Sequence, residues 1–235
     1  MTDTMIQTPV TWDTGAVAKT GPMMVVNPER SVTDEDLVDV GEGSGLNGPF
    51  LADLIASCAT HERTGVSLFK SLEARTNNPA AKHRFNEFQS DAMEAALAYE
   101  ALADDLGVPL RYASQPARMT EAIDTRMLSA FLLSGAADQM TLELKGIEAV
   151  LLSSTLCVAN ASLLSSIAEG LQDSPARTAM EAAVAKVLPP AEAHLEWAAE
   201  MQHTMVLGQA NSTLAQKATE VVEGVVGKVR DVLGR

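Results

Sequence analysis

The chain has 235 residues, of which 46% are hydrophobic, 20% charged and only 4% aromatic, so it is long enough to bury a core as one large domain. Its formal net charge is -14 and its lysines and arginines are scattered, which argues against nucleic acid as a partner. Few aromatic residues beside abundant alanine, leucine and methionine favour helices packed on helices over a sheet sandwich.

Residues 1–48 form the first segment, which is rich in proline, glycine, threonine and acidic residues and has no sustained periodicity. This composition predicts an extended or partly disordered acidic arm. Near its start there is no continuous apolar stretch with a basic flank, the pattern of a secretory signal. Because Cys58 and Cys157 also lack metal-type spacing and fit apolar helix faces, we expect buried, reduced thiols in a soluble, cytoplasmic protein.

Four stretches with apolar residues three and four apart follow the arm: 49–75, 79–106, 124–169 and 174–207. The first is expected to begin at Pro49, after a glycine-rich segment. Short turns join the first pair and the second pair, whereas residues 107–123, with Pro109 and Pro116, cross between the pairs. Short, long, short connections predict an all-α fold over residues 49–208, a ferritin-like four-helix bundle with one long crossover.

The third stretch contains an uncharged run, residues 149–168, of membrane-spanning length. Its many serines and Asn160 favour a helix of the bundle over a transmembrane span, so a membrane partner is not expected. Glu143 and His194 are 51 residues apart, which requires the third and fourth helices to overshoot a shared site or to be interrupted. The serine-rich segment around Asn160 is where an interruption is expected.

Residues 213–235 place seven valines and leucines on one side of a helix, which predicts a C-terminal amphipathic helix. Its charges are nearly balanced, so attraction to anionic lipid would be weak. We expect it to dock on its own bundle or on a neighbouring subunit of a homo-oligomer, with a tail that binds a membrane surface or a partner shell as the alternative.

Polar side chains interrupt the apolar face of every predicted bundle helix. The candidate metal ligands are Glu62, Asp91, Glu94, Glu143 and His194, with Glu94 one step to the side of the inward series. A carboxylate buried without a partner costs several kcal/mol, and clustered carboxylates repel one another. A divalent cation removes both penalties, and oxygen and imidazole ligands suit iron, manganese or zinc.

Three segments carry a resemblance to ferritin-like proteins, and in most detail to bacterioferritins: Met140–Glu148, Asp91–Glu94 and Ala193–Trp197. That family supplies one glutamate from each of two helices and a Glu-x-x-His motif from each of the other two. In the resemblance, Glu62 and Glu143 match the single glutamates and His194 matches the second motif's histidine. Asp91 and Glu94 fall where the first motif has its glutamate and histidine.

The resemblance implies two iron or manganese ions, bridged by the two single glutamates and held by the other three ligands. It also implies dioxygen as a partner and oxygen-dependent iron oxidation, storage or detoxification, the work of a ferroxidase-type oxidoreductase. Ala191 stands where the second motif has its glutamate, directly after Pro189 and Pro190. That departure would leave an open position for water or oxygen.

Each candidate ligand also has a simpler interpretation. Glu62 fits a boundary residue paired with a lysine or arginine, His194 fits a hydrogen-bonded core histidine, and Asp91 with Glu94 fits a solvated helix edge. The departures from the family pattern favour a second hypothesis, in which the bundle has lost turnover and acts as a structural, assembly or cargo protein.

Overall fold

A computed structural model describes residues 32–109, 112, 114–132 and 137–210. Within these ranges all regular structure is helical: a short 3-10 helix, Asp34–Leu37, then α1 Gly48–Arg75, α2 Pro79–Asp105, α3 Gln115–Leu132, α4 Gln139–Glu169 and α5 Pro175–Ala210. The predicted all-α class is therefore confirmed. The predicted C-terminal helix lies outside the described residues, as do the first 31 residues of the predicted arm.

The helices pack as two close pairs. The most extensive contacts join α1 to α2 and α4 to α5, and each pair is linked by a short turn. Further contacts join α2 to α5 and α4 to α1, so these four helices touch in succession. The fifth, α3, lies in the crossover and packs mainly against α1, with a smaller contact on α4.

Asparagine caps and prolines fix the starts of α1 and α2, as their sequence predicts. The side chain of Asn47 accepts a hydrogen bond from the Phe50 amide, and that of Asn78 accepts from Ala80 and Ala81. A proline stands in the first turn of each helix, where its missing N–H costs nothing. At the other end of α2, Gly107 adopts a φ of 79°, a left-handed conformation that favours glycine and stops the helix.

The prediction of one helix over residues 124–169 is wrong. The chain forms two helices there, with α3 ending at Leu132 and α4 beginning at Gln139. Asp138 caps α4, because its Oδ1 accepts from the Thr141 amide at 3.0 Å. The crossover from α2 to α4 is correspondingly longer than 107–123, since it contains α3, whereas α4 runs unbroken past Asn160, where an interruption was expected.

The end of the N-terminal segment packs against α1 and α2. Leu37 and Val40 are buried in the main apolar core, and the Gly41 amide donates to the Leu106 carbonyl at 2.9 Å. This segment crosses the start of α1 so closely that a Cβ on Gly48 would lie 2.1 Å from the carbonyl oxygen of Leu37. Position 48 therefore requires glycine for steric reasons.

Helix α4 is long and apolar enough to cross a membrane by length and composition. In this fold 44% of its most apolar window is buried inside the protein, against α5 and to a smaller extent α1. Val150, Val158 and Leu164 are among its buried residues. Four large apolar residues of α4 are exposed: Met140, Leu152, Leu156 and Leu163.

Candidate functional site

Two of the predicted ligands form a hydrogen-bonded pair between α2 and α5. His194 Nε2 lies 2.8 Å from Asp91 Oδ2, with the histidine buried and the aspartate partly exposed. The imidazole packs against Phe88, with ring centroids 3.9 Å apart, and edge-on against Phe69 at 5.7 Å. This contact holds the ring in one orientation, so His194 is also the hydrogen-bonded core histidine of the simpler interpretation.

A small interior cavity brings a third predicted ligand close to this pair. Glu62 from α1, Asp91 from α2 and His194 from α5 all line it, together with Ala191 and Cys157. Its volume of about 10 Å³ corresponds to roughly one water-sized sphere. Helix α5 continues through Pro189 and Pro190, and the next residue, Ala191, lines the cavity.

Glu62 is deeply buried, and no lysine or arginine of the described residues forms a salt bridge with it. Burial raises the pKa of its carboxyl, and the neighbouring His61 charge and Cys157 thiol oppose that rise only in part. The interpretation of Glu62 as a boundary residue is therefore wrong, because a boundary carboxylate would be partly solvated.

The other two predicted ligands lie elsewhere. Glu94 is exposed and lines an open surface hollow outside Asp91 and His194. Glu143 lies near the start of α4, where its Oε1 accepts from the Asn77 amide at 3.2 Å and from the side chains of Thr76 and Gln139. It is ten residues, about 15 Å of helix, from the cavity-lining Ser153.

The five predicted ligands therefore do not converge on one point. Within the described part of the chain, no three aspartate, glutamate, histidine or cysteine side chains are close enough together to hold a metal ion. The arrangement does not fit a centre with two ions, because Glu143, one of the two predicted bridging glutamates, instead accepts hydrogen bonds from the α1–α2 turn.

Sequence reasoning assigned no role to His61, which forms the most buried ion pair among the described residues. Its Nδ1 lies 2.7 Å from Asp124 Oδ2 of α3, and its Nε2 lies 3.1 Å from the Ser153 carbonyl of α4. Thr64 also donates to Asp124, at 2.9 Å. Because both ring nitrogens face acceptors, the geometry is that of a doubly protonated imidazolium.

The pKa of His61 agrees with that geometry. Burial disfavours the charge, but the hydrogen bond and charge of Asp124, with smaller contributions from Glu62 and the Ser153 carbonyl, raise the pKa above its ordinary value. The sequence does indicate that His61 points inward. It lies two helical turns, or seven residues, from both Leu54 and Leu68, and so shares their apolar face.

Two thiols and a phenol, those of Cys58, Cys157 and Tyr99, lie in the interior near Glu62. Burial is the main cause that raises the pKa of Cys58 to about 12 and the pKa of both Cys157 and Tyr99 above their ordinary values. Both cysteines are free. They are therefore protonated at neutral pH and are poor nucleophiles.

Comparisons with known protein families, with curated proteins and with solved structures give no significant match to this chain.

Proposed function

We propose that this chain is a ferritin-like four-helix bundle with one long crossover, in which part of the ligand set of such bundles has been lost. We further propose that it acts as a structural or assembly protein without catalytic turnover. Support for the fold comes from the successive contacts of α1, α2, α5 and α4, with α3 inside the crossover. Bundles of this topology join two helical hairpins by one long connection.

One observation carries the functional part of the proposal: the two buried histidines each pair with a carboxylate of the chain itself. Asp91 pairs with His194, and Asp124 pairs with His61. A raised pKa keeps the Glu62 carboxyl neutral over a wider pH range, which lowers the cost of burying it. The penalty that would otherwise favour a bound cation is therefore smaller in this arrangement.

A second candidate function is the binding of a single divalent ion, iron or manganese. It is favoured by the shared cavity, which three helices line with two carboxylates and one imidazole, donors that suit either metal. Binding would require Glu62 to lose its proton, the Asp91–His194 hydrogen bond to open and the three side chains to move closer together, since among the described residues no three such groups are now close enough to hold an ion. Affinity would therefore rise with pH.

The metal content of the purified protein, measured by mass spectrometry after growth with iron and manganese, tests the proposal. We expect far less than one ion per chain in the wild type, in Glu62→Gln and in Glu143→Gln. One ion that is lost in Glu62→Gln and kept in Glu143→Gln would establish the second candidate instead. Two ions that are lost in both variants, with oxidation of ferrous iron in air, would restore the ferroxidase hypothesis.

A further inference from the structure

An apolar stripe runs along the outer face of α4. It consists of Leu152, Leu156, Ala159 and Leu163, which lie within about 40° of one direction around the helix. The three leucines are 63%, 40% and 46% exposed. Exposed leucines at successive turns of one helix are costly in water and mark a surface that another apolar surface covers.

Charge favours another copy of the same chain as the covering partner. No charged residue occurs between positions 149 and 168, so the stripe is neutral along its whole length. The chain as a whole carries a net charge of -14, and two copies therefore repel each other over most of their surfaces. A neutral apolar stripe is the face on which they approach at least electrostatic cost.

The spacing of the stripe is self-complementary. Its members are four, three and four residues apart, a pattern that reads the same from either end. Two copies of α4 packed antiparallel about a two-fold axis would place Leu152 against the partner's Leu163 and Leu156 against the partner's Ala159. A two-fold interface requires this self-matching, and the small alanine lets the helices approach closely opposite a leucine.

We infer that two copies of this chain associate through α4, antiparallel, with the leucine stripe at the centre of the interface. The 31 residues of α4 span about 46 Å. A helix of this length can form the central contact of a standard interface, which buries roughly 800 Å² per partner. The inference stands whether or not the interior site binds an ion.

Light scattering coupled to size-exclusion chromatography tests the inference. We expect the full-length wild type to be a dimer and Leu156→Glu to be a monomer with unchanged helical circular dichroism. Leu97→Glu is the matched control, since Leu97 is an exposed leucine on α2 (55%, against 40% for Leu156), and it should stay dimeric. A monomeric wild type, including one that binds phosphatidylglycerol vesicles through the stripe, would overturn the inference, as would a dimer that survives Leu156→Glu.

Cysteine cross-linking tests the antiparallel orientation and does not require a charged substitution. A mixture of Leu152→Cys and Leu163→Cys chains should form a disulfide between copies under mild oxidation, whereas each variant alone should not. Cross-linking of Leu152→Cys with itself would indicate parallel helices and contradict the proposed axis.

Discussion

The buried pair of His61 and Asp124 gives the sharpest test of the interior. Asp124→Ala removes the acceptor of His61 Nδ1, while the Thr64 hydroxyl keeps the Thr60 and His61 carbonyls as alternative acceptors. The loss therefore falls on the histidine. Removal of one partner costs about 1–3 kcal/mol for a neutral buried hydrogen bond and about 3–5 kcal/mol for a buried ion pair. Since His61 is charged in this geometry, we expect a loss of about 3 kcal/mol in the free energy of unfolding.

Urea unfolding followed by circular dichroism measures this loss, and a double-mutant cycle assigns it to the pair. His61→Leu and Asp124→Ala should be non-additive, so that the double variant is at least about 1 kcal/mol more stable than the sum of the single effects predicts. Glu121→Ala is the control, because Glu121 is an exposed acid one turn earlier on α3, and it should change stability by less than about 0.5 kcal/mol.

Two results would refute this account of the pair. The first is an Asp124→Ala variant as stable as the Glu121→Ala control. The second is additivity in the cycle, which would mean that His61 and Asp124 contribute independently and that their 2.7 Å contact carries no coupling energy.

Three further predictions concern the core. Because the pKa of Glu62 is raised in the folded state, its contribution to stability is complete below its ordinary pKa of 4.5 and is lost as pH rises through the folded pKa. Urea titrations should therefore give a lower free energy of unfolding at pH 8 than at pH 5, and the difference should be smaller in Glu62→Gln. An equal difference in the two proteins would contradict this prediction. Gly48→Ala should cost at least 1–3 kcal/mol, roughly the cost of overpacking, because its Cβ would clash with Leu37, and an unchanged urea midpoint would exclude that contact. Leu102→Ala should cost about 2–5 kcal/mol, against less than about 0.5 for the exposed Leu97→Ala, and similar losses would contradict the burial.

Helix ends were the most predictable feature of this chain, because local chemistry determines them. Asn47 and Asn78, each followed by proline within two residues, mark the starts of α1 and α2 to within one residue. The break between α3 and α4 was missed since apolar spacing continues across it, from Leu132 to Ile147. Asp138, a favourable N-cap residue, marks the start of α4 in the sequence, but an argument from periodicity alone does not take capping into account.

That missed break also explains the placement of Glu143. In one continuous helix Glu143 would belong to the same inward face as Leu132. A separate α4 begins at Gln139 with its own rotational phase, so Met140 is exposed and Glu143 turns toward the α1–α2 turn. Its three hydrogen bonds there replace the predicted role as a bridging ligand.

The amino-acid sequence by itself determined the helical class, the close α1–α2 and α4–α5 pairs and the inward positions of Glu62 and His194, because these follow from periodicity, capping and short turns. Only the tertiary structure decided which polar groups meet. Asp124 is 63 residues from His61, and Asp91 is 103 residues from His194. Partners so far apart depend on the relative rotation and height of whole helices, which no local pattern in the chain encodes.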